Sequence, residues 1–443
     1  MGFSTGVAET RWRNWGRSAT AEFAAVCVPA DEADLGAVLV RAAETGRRVR
    51  PLGAGHSFTP IAATDGVSLR LGRLAGVRSA DPDTGLVTLG AGTRLCDLPA
   101  LLGPLGLALE NMGDIDAQTL AGAISTGTHG TGAAFTGLAG QVRGLRMVLA
   151  DGSVLNCSAV ENAEAFHAAV VGLGAFGVLT EITLQCTPTF LLAADEHPEP
   201  LEAVLGDFDR RMAATDHVEF YWFPHTDVAL VKSNTRLPAD SPAAPVGRWR
   251  GLIEDELVGN GALAAAVGLG AAAPAVVPRV NRLAARLAPD RTYTDVSHRV
   301  FTAPRRVRFR EMEYAVPRGE LPDLLREIRL LIDRRGWRIS FPLEIRVAAA
   351  DDRWLSTAYQ RDSAYVAVHR YHREPFAEFF LAVEEILAGA GGRPHWGKLH
   401  TLDAAALAAR YPRFADVQRI RAQLDPVGLF RNPYLDRVLG TGG

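Results

Sequence analysis

Lysine is nearly missing from this chain of 443 residues, since only two of its 47 basic residues, Lys232 and Lys398, are lysines. Arginine is therefore the usual cation, and a lysine indicates a position that needs a compact ammonium rather than a planar guanidinium. The formal net charge is only −3, which gives no overall field that would attract nucleic acid. We therefore do not expect nucleic acid as a partner.

Cysteine is scarce as well, and its spacing excludes two kinds of site. The four cysteines lie far apart, without a C-x-x-C pair or a histidine at metal-binding spacing. This pattern argues against a zinc site and against a redox pair, and it predicts reduced, mostly buried thiols and no bound metal. The N-terminal stretch MGFSTGVAETRWRNW lacks the apolar core of a signal peptide, so we expect a cytoplasmic protein.

One long apolar run is present, GALAAAVGLGAAAPAVVP at 261–278. It is long enough to span a bilayer, but Pro274 and the many alanines and glycines make it weakly hydrophobic. Three interpretations remain: a transmembrane helix, a peripheral membrane contact, or helices packed within a domain. The composition favours the last, with a peripheral contact as the next alternative.

The pattern of predicted strands and helices changes near residue 190. Before it, short strands and helices alternate, with a helix predicted over 34–46 and many glycines between 113 and 144. After it, longer stretches such as RVRFREMEYAV and AYVAVHRYH alternate like strands of a large half-buried sheet. We predict an α+β protein with a first domain over 1–189, a second over 190–394, and a segment 395–443 that returns to the first.

The hexapeptide GLGAFG at 172–177 satisfies the G-x-G-x-x-G fingerprint of dinucleotide-binding domains. That motif must follow a strand and open a helix, so that the helix N-terminus faces the pyrophosphate. Here a helical pattern precedes the glycines and a strand pattern follows them. The sequence therefore argues against a Rossmann domain.

Two other glycine-rich loops are better candidates for a cofactor site: LGAGHSF at 52–58 and GDIDAQTLAGAISTGTHGTG at 113–132. Glycine lets backbone approach a phosphate closely, and successive N–H groups in such turns bind anions. Together the loops would suit a pyrophosphate and a flat ring system. Glycine content alone leaves two structural turns as an equal alternative.

Four separated motifs carry a family resemblance: VRPLGAGHSFTPIAATDG, AGAISTGTHGTG, LEIRV and HWGKLH. In this order they resemble the FAD-dependent sugar-lactone and alditol oxidases of the vanillyl-alcohol-oxidase superfamily, and the similarity covers nearly the whole chain. The resemblance implies a two-domain flavoprotein. An FAD-binding α+β domain would be joined to a cap domain with a large antiparallel sheet, and the substrate would lie between them.

The resemblance also implies the residues that hold FAD. The histidine of the G-H-S turn, His56, is expected to bind the flavin covalently, with noncovalent binding as the alternative. The other expected cofactor residues are Gly53, Ala54, Gly55, Ser57, Asp114, Thr119, Gly122, Thr126, Gly127, Thr128, His129 and Val178.

Candidate catalytic residues come from the second half of the chain. Glu344 and Arg346 share one face of the predicted strand LEIRV, which in isolation would suggest a surface ion pair. The resemblance implies that they bind substrate oxygens above the flavin. Lys398, otherwise a surface-loop lysine, would face the anionic locus of the reduced flavin. His369 is a looser match that would narrow the pocket for a compact lactone ring.

The implied reaction is oxidation of a sugar-1,4-lactone, such as L-gulono-, L-galactono- or D-arabinono-1,4-lactone, by hydride transfer to flavin N5. The product would tautomerise to an ascorbate-type enediol. Gly113 could leave a path for oxygen, which we favour slightly over a cytochrome or quinone-type acceptor. The alternatives are an alditol oxidase acting on xylitol or sorbitol and a non-catalytic carbohydrate-binding protein.

Overall fold

The computed structural model describes residues 10–247, 261, 263–303 and 305–441. The part up to residue 189 contains a three-stranded parallel sheet and a five-stranded antiparallel sheet. Its strands are β1 (Arg11–Arg13), β2 (Thr20–Glu22), β3 (Ala25–Cys27), β4 (Val49–Pro51), β5 (Val67–Leu69), β6 (Val77–Asp81), β7 (Leu86–Gly90), β8 (Leu107–Ala108), β9 (Val142–Val148), β10 (Val154–Ser158), β11 (Val178–Gln185) and β12 (Thr187–Pro188). Its helices are α1 (Glu32–Glu44), α2 (Leu98–Leu102), α3 (Leu120–Thr126) and α4 (Ala163–Ala169).

Helix α1 shows why the local sequence folds as it does. Asp31 caps its N-terminus by accepting a hydrogen bond from the backbone N–H of Asp34. Leu35 and Leu39 lie four residues apart and are both fully buried. The chain leaves the helix at Gly46, whose φ of 63° is a left-handed conformation that glycine adopts without strain. The predicted helix over 34–46 is therefore confirmed, with both its start and its end two residues earlier.

The loop GLGAFG lies between α4 and β11, so the chain runs helix, loop, strand. This is the order that the sequence pattern predicted, and it is the reverse of the order a Rossmann pyrophosphate site requires.

An antiparallel sheet of eight strands dominates the rest of the described chain, and we call it the cap sheet. Its strands are β13 (Phe190–Pro200), β14 (His217–Trp222), β15 (Val228–Pro238), β16 (Arg291–Val296), β17 (Phe309–Pro317), β18 (Leu343–Ala348), β19 (Ser363–Tyr371) and β20 (Arg393–Pro394). They are arranged in the order β16-β13-β15-β14-β18-β19-β17-β20. The predicted strand LEIRV lies in β18, which begins at Leu343 directly after Pro342, a residue without an N–H to donate to a sheet.

Helices cover one face of the cap sheet. This part of the chain contains α5 (Leu201–Gly206), α6 (Phe208–Ala214), α7 (Leu263–Ala272), α8 (Val277–Arg286), α9 (Ser297–Phe301), α10 (Leu321–Arg335) and α11 (Ala377–Gly389). Leu343, Ile345 and Val347 of β18 pack in one apolar cluster with residues of α10 and α11. Because side chains alternate along a strand, Glu344 and Arg346 project from the opposite face. That face points toward the first part of the chain.

The apolar run at 261–278 forms α7, a 3₁₀ turn at Pro274–Val276 and the start of α8, as far as it is described. Val267 and Val277 are buried, whereas Leu269 is half exposed. Nowhere in the described residues is there a helix with the length and hydropathy needed to cross a membrane. Peripheral membrane contact of this segment stays a prediction.

The last part of the chain packs against the first. It forms α12 (Ala404–Ala408), α13 (Phe414–Leu424) and α14 (Pro433–Leu439), and Val417 and Leu435 lie in the same apolar cluster as Val87. The buried Arg50 donates to the carbonyl oxygens of Ile61, Leu173, Gly174 and Phe430 at 2.7–3.0 Å. These are contacts that the predicted return of residues 395–443 to the first domain requires. The domain boundaries themselves stay predictions.

All four cysteines are free thiols, and Cys27, Cys157 and Cys186 are buried whereas Cys96 is exposed. Burial raises the pKa of Cys157 to about 12 and that of Cys186 to about 11, so these thiols remain protonated near neutral pH. The prediction of mostly buried, unpaired thiols is confirmed.

Candidate active site

Two adjoining cavities lie where the glycine-rich loops meet the polar face of the cap sheet. The cap cavity has a volume of about 320 Å³ and is lined by both parts of the chain, including His56, Asp114, Arg346 and Lys398. The loop cavity has a volume of about 300 Å³ and lies within the first part, against residues 53–57 and α3. His56, Ser57, Gln118 and Thr126 line both. The site is therefore a cleft that extends from the first part to the cap sheet.

Two glycines of the first loop are restricted, Gly53 by its closeness to Thr119, the N-cap residue of α3, and Gly55 by its backbone conformation. A Cβ on Gly53 would lie 2.5 Å from the side-chain oxygen of Thr119, and Gly55 has a φ of 72°. Thr119 itself caps α3 by accepting the N–H of Gly122 at 3.3 Å. Arg94 lines the same cavity. The loop cavity thus combines close backbone with a cation, which suits a pyrophosphate.

His56 lies at the junction of the two cavities, with its ring stacked on Trp15 at 5.6 Å between centroids. Its Nδ1 is buried and has no hydrogen-bond partner among the described residues. Burial and the positive charges of Lys398 and Arg94 lower the pKa of His56, which favours the neutral imidazole. A neutral ring with an unpartnered nitrogen, at the junction of cavities of about 320 and 300 Å³, fits FAD.

Asp114 of the second loop binds two arginines. Its carboxylate accepts a hydrogen bond from Arg305 at 2.7 Å and lies 3.6 Å from Arg346. Although burial opposes the effect, these two guanidinium groups hold the pKa of Asp114 well below its usual range. Asp114 is therefore ionised and connects the loop to the cap sheet.

The remaining predicted cofactor residues fall into three groups. Ala54 and Ser57 line the loop cavity with the residues named above, and Thr126, Thr128 and His129 line the cap cavity. Gly127 ends α3 with a φ of 77° and is not among the lining residues described. Val178 opens β11 with its side chain in the hydrophobic core, although its neighbours Gly177 and Leu179 line the loop cavity.

Both ring nitrogens of His129 lie within hydrogen-bond distance of an oxygen atom. Nδ1 lies 2.9 Å from the carbonyl oxygen of Gly130, and Nε2 lies 3.1 Å from the carboxylate of Glu313. A carbonyl and a carboxylate both accept hydrogen bonds, so each ring nitrogen of His129 faces an acceptor. Burial opposes ionisation of Glu313, but the neighbouring His129 lowers its pKa well below the usual range.

The pair Glu344 and Arg346 is buried, which excludes the surface ion pair that isolated sequence would suggest. Arg346 donates to Glu219 on the adjacent β14 at 2.8 Å and also contacts Glu344. Tyr221 donates to Glu344 at 3.2 Å. Burial raises the pKa of Glu344 although Arg346 opposes it, whereas Arg346 stays cationic among several carboxylates.

Lys398 lies in the loop after β20 and lines the cap cavity, which excludes a lysine in an exposed surface loop. Its ammonium contacts Glu311 of β17. His369 on β19 donates from Nδ1 to the carbonyl of Pro342 at 3.2 Å and places Nε2 3.6 Å from Glu311. The four candidate catalytic residues therefore line one cavity.

Sequence reasoning missed several charged or polar side chains of this cavity, among them Tyr221, Arg305, Glu311 and Glu313. It also missed Glu219, which accepts a hydrogen bond from Arg346 at 2.8 Å. The alternation of REMEYAV places Glu311 and Glu313 on one face of a strand, a signal that could have identified both. Fixed cations and hydrogen-bond acceptors in a buried cavity can orient a small polyhydroxylated molecule and stabilise a developing negative charge.

Fold and site together define a two-domain flavoprotein oxidoreductase. The sequence model for an FAD-binding domain matches residues 23–158, and the model for D-arabinono-1,4-lactone oxidase matches residues 182–438. The chain belongs to the D-arabinono-1,4-lactone oxidase family.

Similar proteins agree with this assignment. The chain is 41% identical to an L-gulono-1,4-lactone dehydrogenase of Mycobacterium tuberculosis, over 97% of this chain and 99% of that one. It is 33% identical to an L-gulonolactone oxidase of Bos taurus, over 98% and 99% of the two chains. In structure it resembles the His121Ala mutant of a cholesterol oxidase from Brevibacterium sterolicum, with a TM-score of 0.83, 18% identity and 97% of each chain covered. At that identity the last likeness concerns the fold alone.

Proposed function

We propose that the protein oxidises a sugar-1,4-lactone with L-gulono, L-galactono or D-arabinono configuration, using FAD. The observation that carries the proposal is that Arg346, Glu344, His369 and Lys398 line one cavity with His56. The names of the two relatives above support a lactone as the substrate.

The bound FAD would supply the hydride acceptor at its N5 atom. Arg346, fixed by Glu219 and Asp114, orients the substrate oxygen that gains negative charge. Glu344 binds a neighbouring hydroxyl, and Lys398 adds a compact positive charge at the cavity wall. His369 narrows the cavity, which favours a compact lactone ring over an extended polyol.

FAD is held by residues of both glycine-rich loops in this proposal, and His56 binds it covalently. The unpartnered Nδ1 and the lowered pKa of His56 support the bond, because a neutral imidazole nitrogen is the form that reacts as a nucleophile.

The electron acceptor is oxygen in this proposal. Gly113 lines the cap cavity without a side chain, and a larger residue there would crowd the second loop. A cytochrome or quinone-type acceptor is the alternative, and the relatives include proteins named as a dehydrogenase and as an oxidase.

A substrate panel read by bleaching of the flavin absorbance tests the proposal without assuming the acceptor. We expect L-gulono-1,4-lactone, or one of its two stereochemical relatives, to bleach the flavin faster than xylitol. Faster bleaching by xylitol would favour an alditol oxidase. A purified protein without a yellow flavin band would instead favour a non-catalytic carbohydrate-binding protein. Measuring hydrogen peroxide release alongside a dye acceptor then identifies the oxidant.

A further inference from the structure

Glu311 is a buried carboxylate to which neither the sequence motifs nor the proposed function assigns a role. It lies on β17, is only 4% exposed, and its Oε2 contacts the ammonium of Lys398. Among the ion pairs of the described residues, this is the one that Lys398 makes. Glu311 is therefore the carboxylate that lies at ion-pair distance from Lys398.

Glu311 also fixes the backbone next to Lys398. Its carbonyl oxygen accepts the N–H of Leu399 at 2.9 Å, and the carbonyl of Glu313 accepts the N–H of His395 at 3.0 Å. The loop 395–399 is thus hydrogen-bonded along the edge of β17. One residue holds both the backbone beside Lys398 and the end of its side chain.

A second candidate catalytic residue meets the same carboxylate. Glu311 and His369 are directly opposite each other in the antiparallel pair β17 and β19, and His369 Nε2 lies 3.6 Å from Oε1. Because the two oxygens of Glu311 face different partners, the carboxylate bridges a lysine and a histidine that line the cap cavity. A glutamine could keep its size but would lose its charge.

Burial and several nearby charged groups have opposite effects on the pKa of Lys398. Burial lowers its pKa, and the charges of Glu311 and Glu313 outweigh burial and raise it. The titratable and charged groups near Lys398 are Glu311 and Glu313 on β17, Asp114 in the second loop, His56 in the first, His369 on β19, and His129 and His395. Without the negative charge of Glu311, the lowering of the Lys398 pKa by burial would be opposed less strongly.

We propose that Glu311 is a positioning residue that fixes the Lys398 ammonium at the wall of the cap cavity, keeps it charged, and aligns His369 beside it. The role of Lys398 and His369 in oxidation rests on the proposed function. The positioning of these two side chains by Glu311 does not depend on it. Glu311 acts through these two side chains and does not itself need to touch a substrate.

The near absence of lysine makes a direct test possible. Purified flavin-loaded protein labelled with [¹³Cε]lysine should give two lysine side-chain signals, from Lys398 and Lys232, which Lys398→Arg assigns. In the wild type the Lys398 signal should not titrate below about pH 10.5. In Glu311→Gln its midpoint should fall by about one pH unit or more, because burial then has less to oppose it. Lys232 pairs with Glu196 and Glu219 instead, so its signal should not move.

An unchanged Lys398 midpoint in Glu311→Gln, with the Lys232 signal as in the wild type, would overturn the proposal. If the glutamine variant does not fold, Glu311→Asp must give a smaller shift in the same direction, and no shift there overturns the proposal as well. Glu374→Gln is a matched control, since this buried carboxylate lies near Ser340 and Arg370 instead. It should leave Lys398 unchanged.

The rate of flavin reduction gives an independent readout. Glu311→Gln should acquire a loss of rate at high pH that the wild type lacks. Adding Lys398→Arg should remove that loss, because arginine stays protonated. A high-pH loss that persists in the double variant contradicts the proposal. If no lactone is oxidised at all, the proposed function fails while the titration still decides the role of Glu311.

Discussion

His400 of the motif HWGKLH should make the protein sensitive to acid. Its ring is buried, and Nε2 lies 3.1 Å from the hydroxyl of Tyr434. That hydroxyl donates to the carbonyl of Trp396 at 2.9 Å, so it accepts the Nε2–H of His400. Nδ1 is then bare, buried and without a partner among the described residues. A proton added to Nδ1 would have no acceptor.

The size of the effect follows from the pKa. Burial, with Arg437 nearby, lowers the pKa of His400 from 6.5 to about 3. The unfolded chain therefore binds this proton at a higher pH than the folded protein does. Stability is fully present above about pH 6.5 and is lost as the pH falls toward about 3, by about 1.4 kcal/mol per unit and at most about 5 kcal/mol.

His400→Phe should remove this slope. The variant loses the hydrogen bond to Tyr434, which costs about 1 kcal/mol at neutral pH. Urea unfolding at a series of pH values should therefore show the variant less stable at pH 7 and more stable than the wild type at about pH 5. Parallel stability curves for the two proteins between about pH 4 and 7 would refute the reasoning.

His197 offers a control with the opposite sign. The carboxylates of Asp195 and Glu199 outweigh its partial burial and raise its pKa. A group with a raised pKa stabilises the fold at low pH, and this contribution is lost as the pH rises. His197→Asn should therefore lower stability at acidic pH and have little effect at alkaline pH.

Three further predictions concern the cofactor and the chemistry. Acid precipitation should leave the flavin in the pellet of the wild type and release it from His56→Ala; colour retained by the variant would place the bond elsewhere. Lys398→Met should slow flavin reduction in stopped-flow experiments more than it weakens substrate binding, because a positive charge is lost at the cavity wall. An unchanged reduction rate would remove Lys398 from the mechanism. Gly113→Ala should slow reoxidation by oxygen more than by a dye, since its Cβ would lie 3.1 Å from the carbonyl of His129; equal effects would argue against an oxygen path at this point.

Local pattern was enough to predict part of the site. The alternation of LEIRV places Glu344 and Arg346 on one face because strand side chains alternate, and that face lines the cap cavity. The glycines near His56 predicted a close approach of backbone, and Gly53 indeed has no room for a Cβ beside Thr119.

Local sequence patterns could not predict the ion-pair partners that strand order places beside the site residues. Glu219 meets Arg346 because β14 lies beside β18, although 127 residues separate them in the chain. Arg305 reaches Asp114 from 191 residues away. Nothing in the local periodicity of one strand specifies its neighbour, so the ion pairs that fix the cavity charges could not be predicted from sequence.

Arg50 couples two stretches of chain that are far apart in sequence. Its guanidinium is buried, and one of its four carbonyl acceptors belongs to Phe430, 380 residues away. A buried cation that loses an acceptor is in an unfavourable state, so displacing the segment around Phe430 would also destabilise the segment around Arg50. The two segments should therefore unfold together rather than one after the other.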